Sequence, residues 1–407
     1  MSSTESSTES STESSTVTSS VVTTAVTPDH PIPGWGLAII CLVVAALVFA
    51  LAWVFFVRYR RSKIPLARPA GSMFRRSTTV NRKTLDSAIL VGLFEQTFKQ
   101  RSENGEIQKE FEMIQEYSAT LNQRKTRDVG QSEINQNRNR FIDIIPFDDN
   151  YVSLEKEQGM PPSTYINASY IDNMDVLDKV IVTQGPKQNT VLDFWKLVVE
   201  KQCRHVIMLT NCQEQGRVKC FQYWPPSGQM LHFDDISLFT AEEREIHPGL
   251  LVRKIELTQE DDEEGDNVHV VRQLHLTNWP DHGVPDHINN ILAFVSVAAT
   301  FKDSEYSLVH CSAGVGRTGT FLALLSLTEQ VQAGCGSIDV MDTVLKLREK
   351  RPKMVQTAEQ YNFLYQCLSV YIKRRLMGEE NVDTKVIKTD TVLDAGIDNF
   401  GFEHVKL

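Results

Sequence analysis

Three absences frame the 407-residue chain. No lysine or arginine precedes Arg58, no cysteine precedes Cys41, and no Asn-x-Ser/Thr sequon precedes the apolar run that starts at Gly36. The missing cysteines exclude a disulfide framework ahead of that run. A net charge of −10 leaves no basic surplus for a phosphate backbone, which excludes nucleic acid as the main partner. No CxxC or His-paired spacing joins Cys203, Cys212, Cys220, Cys335 and Cys367, so these five read as small core hydrophobes. No cluster of metal-ligand residues stands out, and no metal or cofactor is expected. No repeat is visible at domain scale, which leaves one domain of catalytic size.

What is present starts with a Ser-Ser-Thr-Glu repeat from Ser2 to Glu13 and a Ser/Thr-rich continuation to Thr27. Such a stretch buries almost nothing against its ordering entropy, so residues 1–34 read as disordered. The composition fits an O-glycosylated extracellular stalk or an inert spacer. Gly36 to Val57 is uncharged and long enough to cross a hydrocarbon core ~30 Å thick, with Trp35 and Trp53 towards its two ends. Arg58, Arg60, Arg61 and Lys63 follow at once. The positive-inside rule therefore predicts one membrane span over residues 35–57, an extracellular N-terminus and a cytosolic remainder. Residues 58–84 stay basic through Arg68, Arg75, Arg76, Arg82 and Lys83. They form either a plain tether or a segment lying on an anionic leaflet at ~1 kcal/mol per cation. Arg75-Arg76-Ser77 also has the pattern of a basophilic kinase site.

Helical spacing of Leu, Ile and Phe over 85–101 and 105–121 predicts two amphipathic helices that begin a domain running over 85–376. Short β-like runs follow at 164–171, 180–183, 205–210, 219–223, 251–257 and 268–277. The last two flank an acidic stretch, Gln259 to Asp266, that reads as a solvated hairpin tip. Helical patterns return at 191–201, 290–301, 319–332, 340–348 and 359–375. Strands early and helices late around one core predict an α+β or mixed α/β fold. Asn167-Ala168-Ser169 falls inside a strand and is not expected to be glycosylated. The tail, 377–407, is polar and reads as disordered. Its final Val405-Lys406-Leu407 has the spacing a PDZ-type groove accepts, but three residues are weak evidence and chance is the better reading.

The chemistry concentrates in Val309-His310-Cys311-Ser312-Ala313-Gly314-Val315-Gly316-Arg317-Thr318-Gly319. An apolar run, Tyr306 to Val309, reads as a buried strand before it, and Thr320 to Leu327 as a buried helix after it. A strand, a tight glycine-bearing loop and a helix N-terminus make a nest of N–H groups suited to a dianion of phosphate size. A free cysteine is mostly thiol at pH 7, since its pKa is ~8.5; the converging amides, the helix dipole and Arg317 all favour the anion. A guanidinium gives phosphate two parallel hydrogen bonds, which lysine cannot. Cysteine below and arginine beside such a nest favour attack on phosphorus. A thiolate nucleophile is also oxidisable, so reversible inactivation by peroxide at Cys311 is expected.

The stretch is similar to the signature of the classical protein tyrosine phosphatases. Trp279-Pro280-Asp281-His282-Gly283-Val284-Pro285 resembles that family's acid-bearing loop, and Gln356-Thr357-Ala358-Glu359-Gln360-Tyr361 its glutamine loop. Further blocks recur in order: Arg138-Asn139-Arg140-Phe141, Tyr165-Ile166-Asn167-Ala168-Ser169, Thr183-Gln184-Gly185-Pro186 and Tyr223-Trp224-Pro225. With the apolar span, the resemblance is to receptor-type members of short ectodomain such as the alpha and epsilon subtypes, which carry two tandem catalytic domains where this chain has one.

The resemblance implies an α/β (α+β) fold with a highly twisted mixed sheet flanked by helices, and a phosphocysteine mechanism. Cys311 attacks phosphorus; Asp281 protonates the leaving tyrosine oxygen and then activates water. Arg317 and the amides of Ser312, Ala313, Gly314, Val315 and Gly316 hold the phosphoryl oxygens. Thr318 donates its hydroxyl to the cysteine sulfur, Gln356 and Gln360 place the water, and His310 orients the loop. Glu214 pairs with Arg317. Phe141, where the family usually has tyrosine, keeps the ring stacking that sets cleft depth and loses the hydroxyl. Asp143 binds the substrate backbone, and Ile142 gives no charge for reading acidic flanks. Phosphotyrosine proteins are the implied substrates. A module that only binds phosphotyrosine, and a dual-specificity or lipid phosphatase sharing Cys-x5-Arg, are the alternatives.

Overall fold

The computed structural model describes residues 87–155, 164–172, 179–259, 268–280, 283–301 and 306–378. The expected stalk, span, basic linker, acidic tip and C-terminal tail beyond Gly378 lie outside these residues, and so does Asp281. Among the described residues no helix is long and apolar enough to cross a membrane.

The chain enters through a short strand, β1 (Ile89–Leu90), and a 3₁₀ turn, then α1 (Phe94–Glu103) and α2 (Glu106–Arg124). The helix expected over 85–101 therefore starts later, because Ile89 pairs with Ile338 across a two-stranded ladder. Two single turns, α3 (Asp128–Gln131) and α4 (Glu133–Gln136), lead into an irregular segment. Then come β2 (Tyr151–Ser153), β3 (Tyr165–Ile171), β4 (Val180–Thr183), α5 (Val191–Glu200) and β5 (His205–Met208). A small hairpin, β6 (Gln213–Glu214) and β7 (Arg217–Val218), precedes the meander β8 (Met230–Phe233), β9 (Ile236–His247), β10 (Leu250–Gln259) and β11 (His269–Leu276). The rest is α6 (Ile288–Ala298), β12 (Ser307–His310), α7 (Gly316–Gln332), β13 (Ser337–Ile338), α8 (Val340–Lys350) and α9 (Ala358–Leu376).

Two strand expectations need correction. Residues 219–223 form no strand: the amides of Lys219 and Cys220 both donate to Cys212 O, at 2.8 and 3.2 Å, and Phe221 N donates to Pro186 O at 2.8 Å. That bulge and the outside partner take the segment off the ladder. In the other direction, β8 and β9 form where none was expected. β9 places Glu242, Glu243 and Arg244 on a largely solvated wing, and so charged a run hides its period of two.

The main sheet has the order β2-β3-β4-β12-β5-β11-β10-β9-β8, in which β4, β12, β5 and β11 are parallel neighbours and the wings antiparallel. Alternation along the parallel strands feeds two cores. Val180, Val182, Ile207 and Val309 enter one core with α1, α2, α6, α7, α8 and α9, while Ile181, Val206, Met208 and Leu308 enter the other with α5. Helix α7 is buried on every side from Gly316 to Thr328, as a central helix must be to pack between the sheet and α8 and α9. Glu110 of α2 accepts hydrogen bonds from Arg101 at 2.7 Å, Tyr361 at 2.9 Å and Tyr365 at 2.6 Å, which ties the entry helices to α9. Cys203, Cys220 and Cys367 are buried as expected; Cys212 is half-buried and Cys335 exposed, so neither is the core hydrophobe its spacing implied.

Candidate active site

Ligand sites of parallel sheets lie beyond the carboxyl ends of the strands. Four such ends converge here. β12 delivers Cys311, β4 leads into Gln184 and Gly185, β5 leads into Glu214, and β11 leads into Trp279 and Pro280. Leu209 N donates to His310 O at 2.9 Å, and Gly185 N to Ser312 O at 2.9 Å, so both neighbours of β12 brace the loop.

Within the loop the Gly314 N–H is directed at Cys311 Sγ, 3.2 Å away. Gly314 has φ +69°, and a side chain there would meet Thr183 O at 2.1 Å, so only glycine fits. The amides turn inward because the carbonyls are held outward. Fully buried Arg351 donates to Gly314 O at 2.9 Å and Ala313 O at 3.1 Å, and to Asn167 Oδ1 at 2.7 Å and Ser169 Oγ at 3.2 Å. Burial lowers the Arg351 guanidinium to about 10, which leaves it charged at neutral pH. Asn167 and Ser169 are thus interior partners of an arginine, which accounts for the buried sequon.

Arg317 lies in the first turn of α7. It gives Glu214 a two-pronged contact, Nη1 to Oε1 at 2.7 Å and Nη2 to Oε2 at 2.8 Å, and also donates to Leu209 O at 3.1 Å and Pro280 O at 2.9 Å. Glu214 Oε1 further accepts from Thr210 Oγ1 at 3.1 Å and Asn211 N at 3.0 Å. The fork is therefore held before any anion arrives.

A chain of hydrogen bonds behind the nucleophile has its direction set by chemistry. Arg253 can only donate, so Gln273 Oε1, 2.7 Å away, accepts. Gln273 Nε2 then donates to Tyr223 OH at 2.7 Å, and Tyr223 donates to His310 Nε2 at 2.9 Å. That leaves the proton on His310 Nδ1, which donates to Cys311 O at 3.0 Å. Burial lowers His310 to about 4, so the ring stays neutral.

Opposite the loop, Gln356 N donates to Gln360 Oε1 at 2.9 Å, at the N-terminus of α9 capped by Thr357. Both amides lie over Gly316, where a methyl group would come 3.1 Å from Gln356 Oε1 and 3.1 Å from Gln360 Nε2. The preceding residue, Val355, has φ +55°, an outlier for a β-branched residue. Arg348 holds that turn, donating to Met354 O at 2.9 Å and Val355 O at 2.7 Å, and Val355 N donates to Val315 O at 3.1 Å. Strain so fastened keeps Gln356 above the loop.

The rim is looser. Phe141 is 39% exposed and Ile142 92% exposed. Gln184 clamps their approach, its Oε1 accepting from Arg140 N and its Nε2 donating to Arg138 O, each at 2.8 Å. Asp143 pairs with Lys353 across the rim, and the hydrogen bond from that lysine holds its carboxyl below the ordinary range. Thr318 Oγ1 is buried and has no partner among the described residues, so the expected donation to the Cys311 sulfur is not made here. Trp279 Nε1 donates to Gly283 O at 3.4 Å, closing the base of the segment that contains Asp281.

Cys311, Gly314, Gly316, Arg317, Glu214, His310, Gln356 and Gln360 are therefore brought together. Sequence reasoning missed the supports, Arg351, Arg348, Tyr223 and Gln273. Tyr223 at least stood in a quoted block; Arg348 and Arg351 sit in a basic stretch that reads as solvated surface.

A family model described as protein-tyrosine phosphatase matches residues 135–370. The chain is similar to receptor-type tyrosine-protein phosphatase eta of Gallus gallus, 34% identical over 376 residues, 90% of this chain and 25% of that protein. It is similar to receptor-type tyrosine-protein phosphatase epsilon of Homo sapiens, 38% identical over 251 residues, 60% of this chain and 35% of that protein. It is also similar to a phosphatidylinositol phosphatase of Rattus norvegicus, 39% identical over 237 residues, 58% of this chain and 10% of that protein. The chain thus spans about a third or less of the lengths of these relatives.

Proposed function

The chain belongs to the protein-tyrosine phosphatase family, and from that premise we propose that it hydrolyses phosphotyrosine in proteins through a phosphocysteine intermediate. One observation supports this above the others: an amide aimed at Cys311 Sγ from 3.2 Å beside an arginine fork already fastened by Glu214. Such an arrangement favours a thiolate under a phosphoryl group, with charge on the equatorial oxygens neutralised by preset donors. Cys311 attacks and the tyrosine oxygen departs with a proton from Asp281. Asp281 then takes a proton from the water that Gln356 and Gln360 hold. Ser312, Ala313, Gly314, Val315 and Gly316 contribute amides to the phosphoryl oxygens. Thr318 turns its unspent hydroxyl to the sulfur as it leaves phosphorus. Phe141 stacks on the substrate ring, and Asp143 takes the peptide N–H groups once Lys353 gives way.

The remaining parts of the proposal rest on sequence. Residues 35–57 cross the membrane once, 1–34 lie outside, 58–84 tether the domain at the inner leaflet, and 85–376 work in the cytosol. The relative named as a phosphatidylinositol phosphatase favours a second reading, with a phosphoinositide as substrate. Turnover of a phosphotyrosine peptide, a phosphothreonine peptide and a phosphoinositide separates these. Tyrosine specificity predicts a rate on the first at least about tenfold above the others, a difference of ~1.4 kcal/mol in barrier. Equal rates would sink it, and no rate on any would leave a binding module.

A further inference from the structure

Behind the nucleophile loop, one guanidinium stands where two lines of hydrogen bonds meet. Glu243, Arg253 and Gln273 lie directly opposite one another on β9, β10 and β11, so their side chains share one face of the sheet. His275, two residues beyond Gln273 on β11, shares that face. Trp224 packs over it, with the Arg253 guanidinium 4.6 Å from the centre of its ring. Arg253, Gln273 and His275 are buried, while the Glu243 carboxylate that pairs with Arg253 Nε is partly exposed.

The inner end of Arg253 is used twice from a single atom. Nη1 carries two hydrogens; Gln273 Oε1 accepts at 2.7 Å and His275 Nδ1 at 3.1 Å. The first is the arm already traced through Tyr223 and His310 to Cys311 O. The second has its direction fixed by the same chemistry. A guanidinium only donates, so His275 Nδ1 accepts, the ring proton sits on Nε2, and Nε2 donates to Thr210 O at 2.8 Å. Burial, and then Arg253, lower His275 to about 3, so this ring too stays neutral. Thr210 Oγ1 and Asn211 N donate to Glu214 Oε1 at 3.1 and 3.0 Å. Glu214 in turn holds Arg317 at 2.7 and 2.8 Å. The two histidines therefore carry opposite tautomers, His310 protonated on Nδ1 and His275 on Nε2, and one nitrogen sets both.

We propose that Arg253 is the positioning residue that joins the two halves of the site, fixing Cys311 through Gln273, Tyr223 and His310, and Arg317 through His275, Thr210 and Glu214. It touches no reacting atom. Attack on phosphorus needs the sulfur and the Arg317 fork at a set separation, and a common anchor on β10 holds both to one element. Lysine cannot take its place, because a single ammonium has no planar fork to meet Glu243 on one side and Gln273 with His275 on the other.

The consequence for turnover rests on the phosphatase reading; the two arms do not. The test alkylates the full-length chain with iodoacetamide across pH, follows the Cys311 peptide by mass, and repeats the alkylation with inorganic phosphate as protectant. The pH midpoint reads the thiolate, and protection reads the anion site that Arg317 serves. Gln273→Leu should raise the midpoint by ~0.5 pH and leave phosphate protection within about twofold. His275→Phe should weaken protection about fivefold with the midpoint unmoved. Arg253→Met should do both, and adding Gln273→Leu to it should move the midpoint no further, since that arm is already cut. Turnover of a small aryl phosphate by Arg253→Met should fall at least about tenfold. Neither readout moving in Arg253→Met, or midpoint shifts that add in the double variant, would overturn the proposal. If Arg253→Met does not fold, the single-arm variants decide: each moving its own readout supports two arms, and each moving both alike would reduce the region to packing. A native chain that alkylates and is protected as expected, yet hydrolyses nothing, would count against the phosphatase reading and leave the branch standing.

Discussion

The floor of the site and its rim are built on opposite terms. On the floor, Cys311, Arg317, His310 and Arg351 are buried and each of these four has partners assigned before substrate arrives, while the Thr318 hydroxyl has none among the described residues. At the rim, Phe141 and Ile142 stand in solvent and Asp143 is held by a single exposed lysine. A buried cation such as Arg351, with four oxygens around it, is costly to disturb, whereas an exposed ion pair contributes little. The floor therefore supports the phosphoryl chemistry, and the rim can change with the substrate at small cost to stability.

Substitutions should respect that division, with the largest effects at the floor. Cys311→Ser should lower turnover of any phosphate monoester by at least about 10⁴-fold while phosphopeptide binding persists by calorimetry; residual activity above that level would put the nucleophile elsewhere. Glu214→Ala frees the Arg317 fork and should cost about 10²-fold in kcat with a small change in KM; an effect confined to KM would contradict a preset fork. Gln273→Leu removes the donor that sets Tyr223 and, through it, the proton on His310 Nδ1. About tenfold in kcat is expected, with the ring ¹⁵N shifts of His310 moving away from the Nδ1–H form; unchanged shifts would break that chain. At the rim, Asp143→Asn should raise KM for a phosphopeptide by a few-fold, about 1 kcal/mol, and leave a small aryl phosphate untouched. Lys353→Ala sharpens the contrast, since releasing Asp143 should lower peptide KM.

Acid stability separates floor from rim in another way. His275 and His310 are lowered to about 3 and about 4, His275 by burial and then Arg253, His310 mainly by burial. Their unfolded counterparts titrate near 6.5, so between pH 6.5 and 4 the unfolded chain binds more protons. Stability should therefore fall as pH drops through that window. The urea midpoint of His275→Gln should fall less over the same range; an equal fall would assign the acid sensitivity to other groups.

Sequence reading reached furthest where the signal is local. The strand, loop and helix around Cys311 to Arg317 followed from short-range patterning, while the Gln356–Gln360 pair and the twist of the mixed sheet came from the family resemblance. It failed where a partner lies far along the chain. Arg351 meets Asn167 over an interval no periodicity reports, and nothing in Arg348-Glu349-Lys350-Arg351 distinguishes two buried guanidiniums from a solvated charge run. The strand expected at 219–223 failed for the same reason, since Pro186 and Cys212 pull that segment off its ladder. Cys212 read as core because its spacing was silent, while its exposure is set by the bulge.

The central claim is that Cys311 becomes phosphorylated during turnover. Rapid acid quench of the Gln360→Ala variant with a ³²P-labelled phosphotyrosine peptide, followed by mapping of the label, tests it directly. A thiophosphate on the peptide containing Cys311, absent from Cys311→Ser, is the predicted result. Continued turnover with no label on Cys311, or label on another side chain, would contradict it.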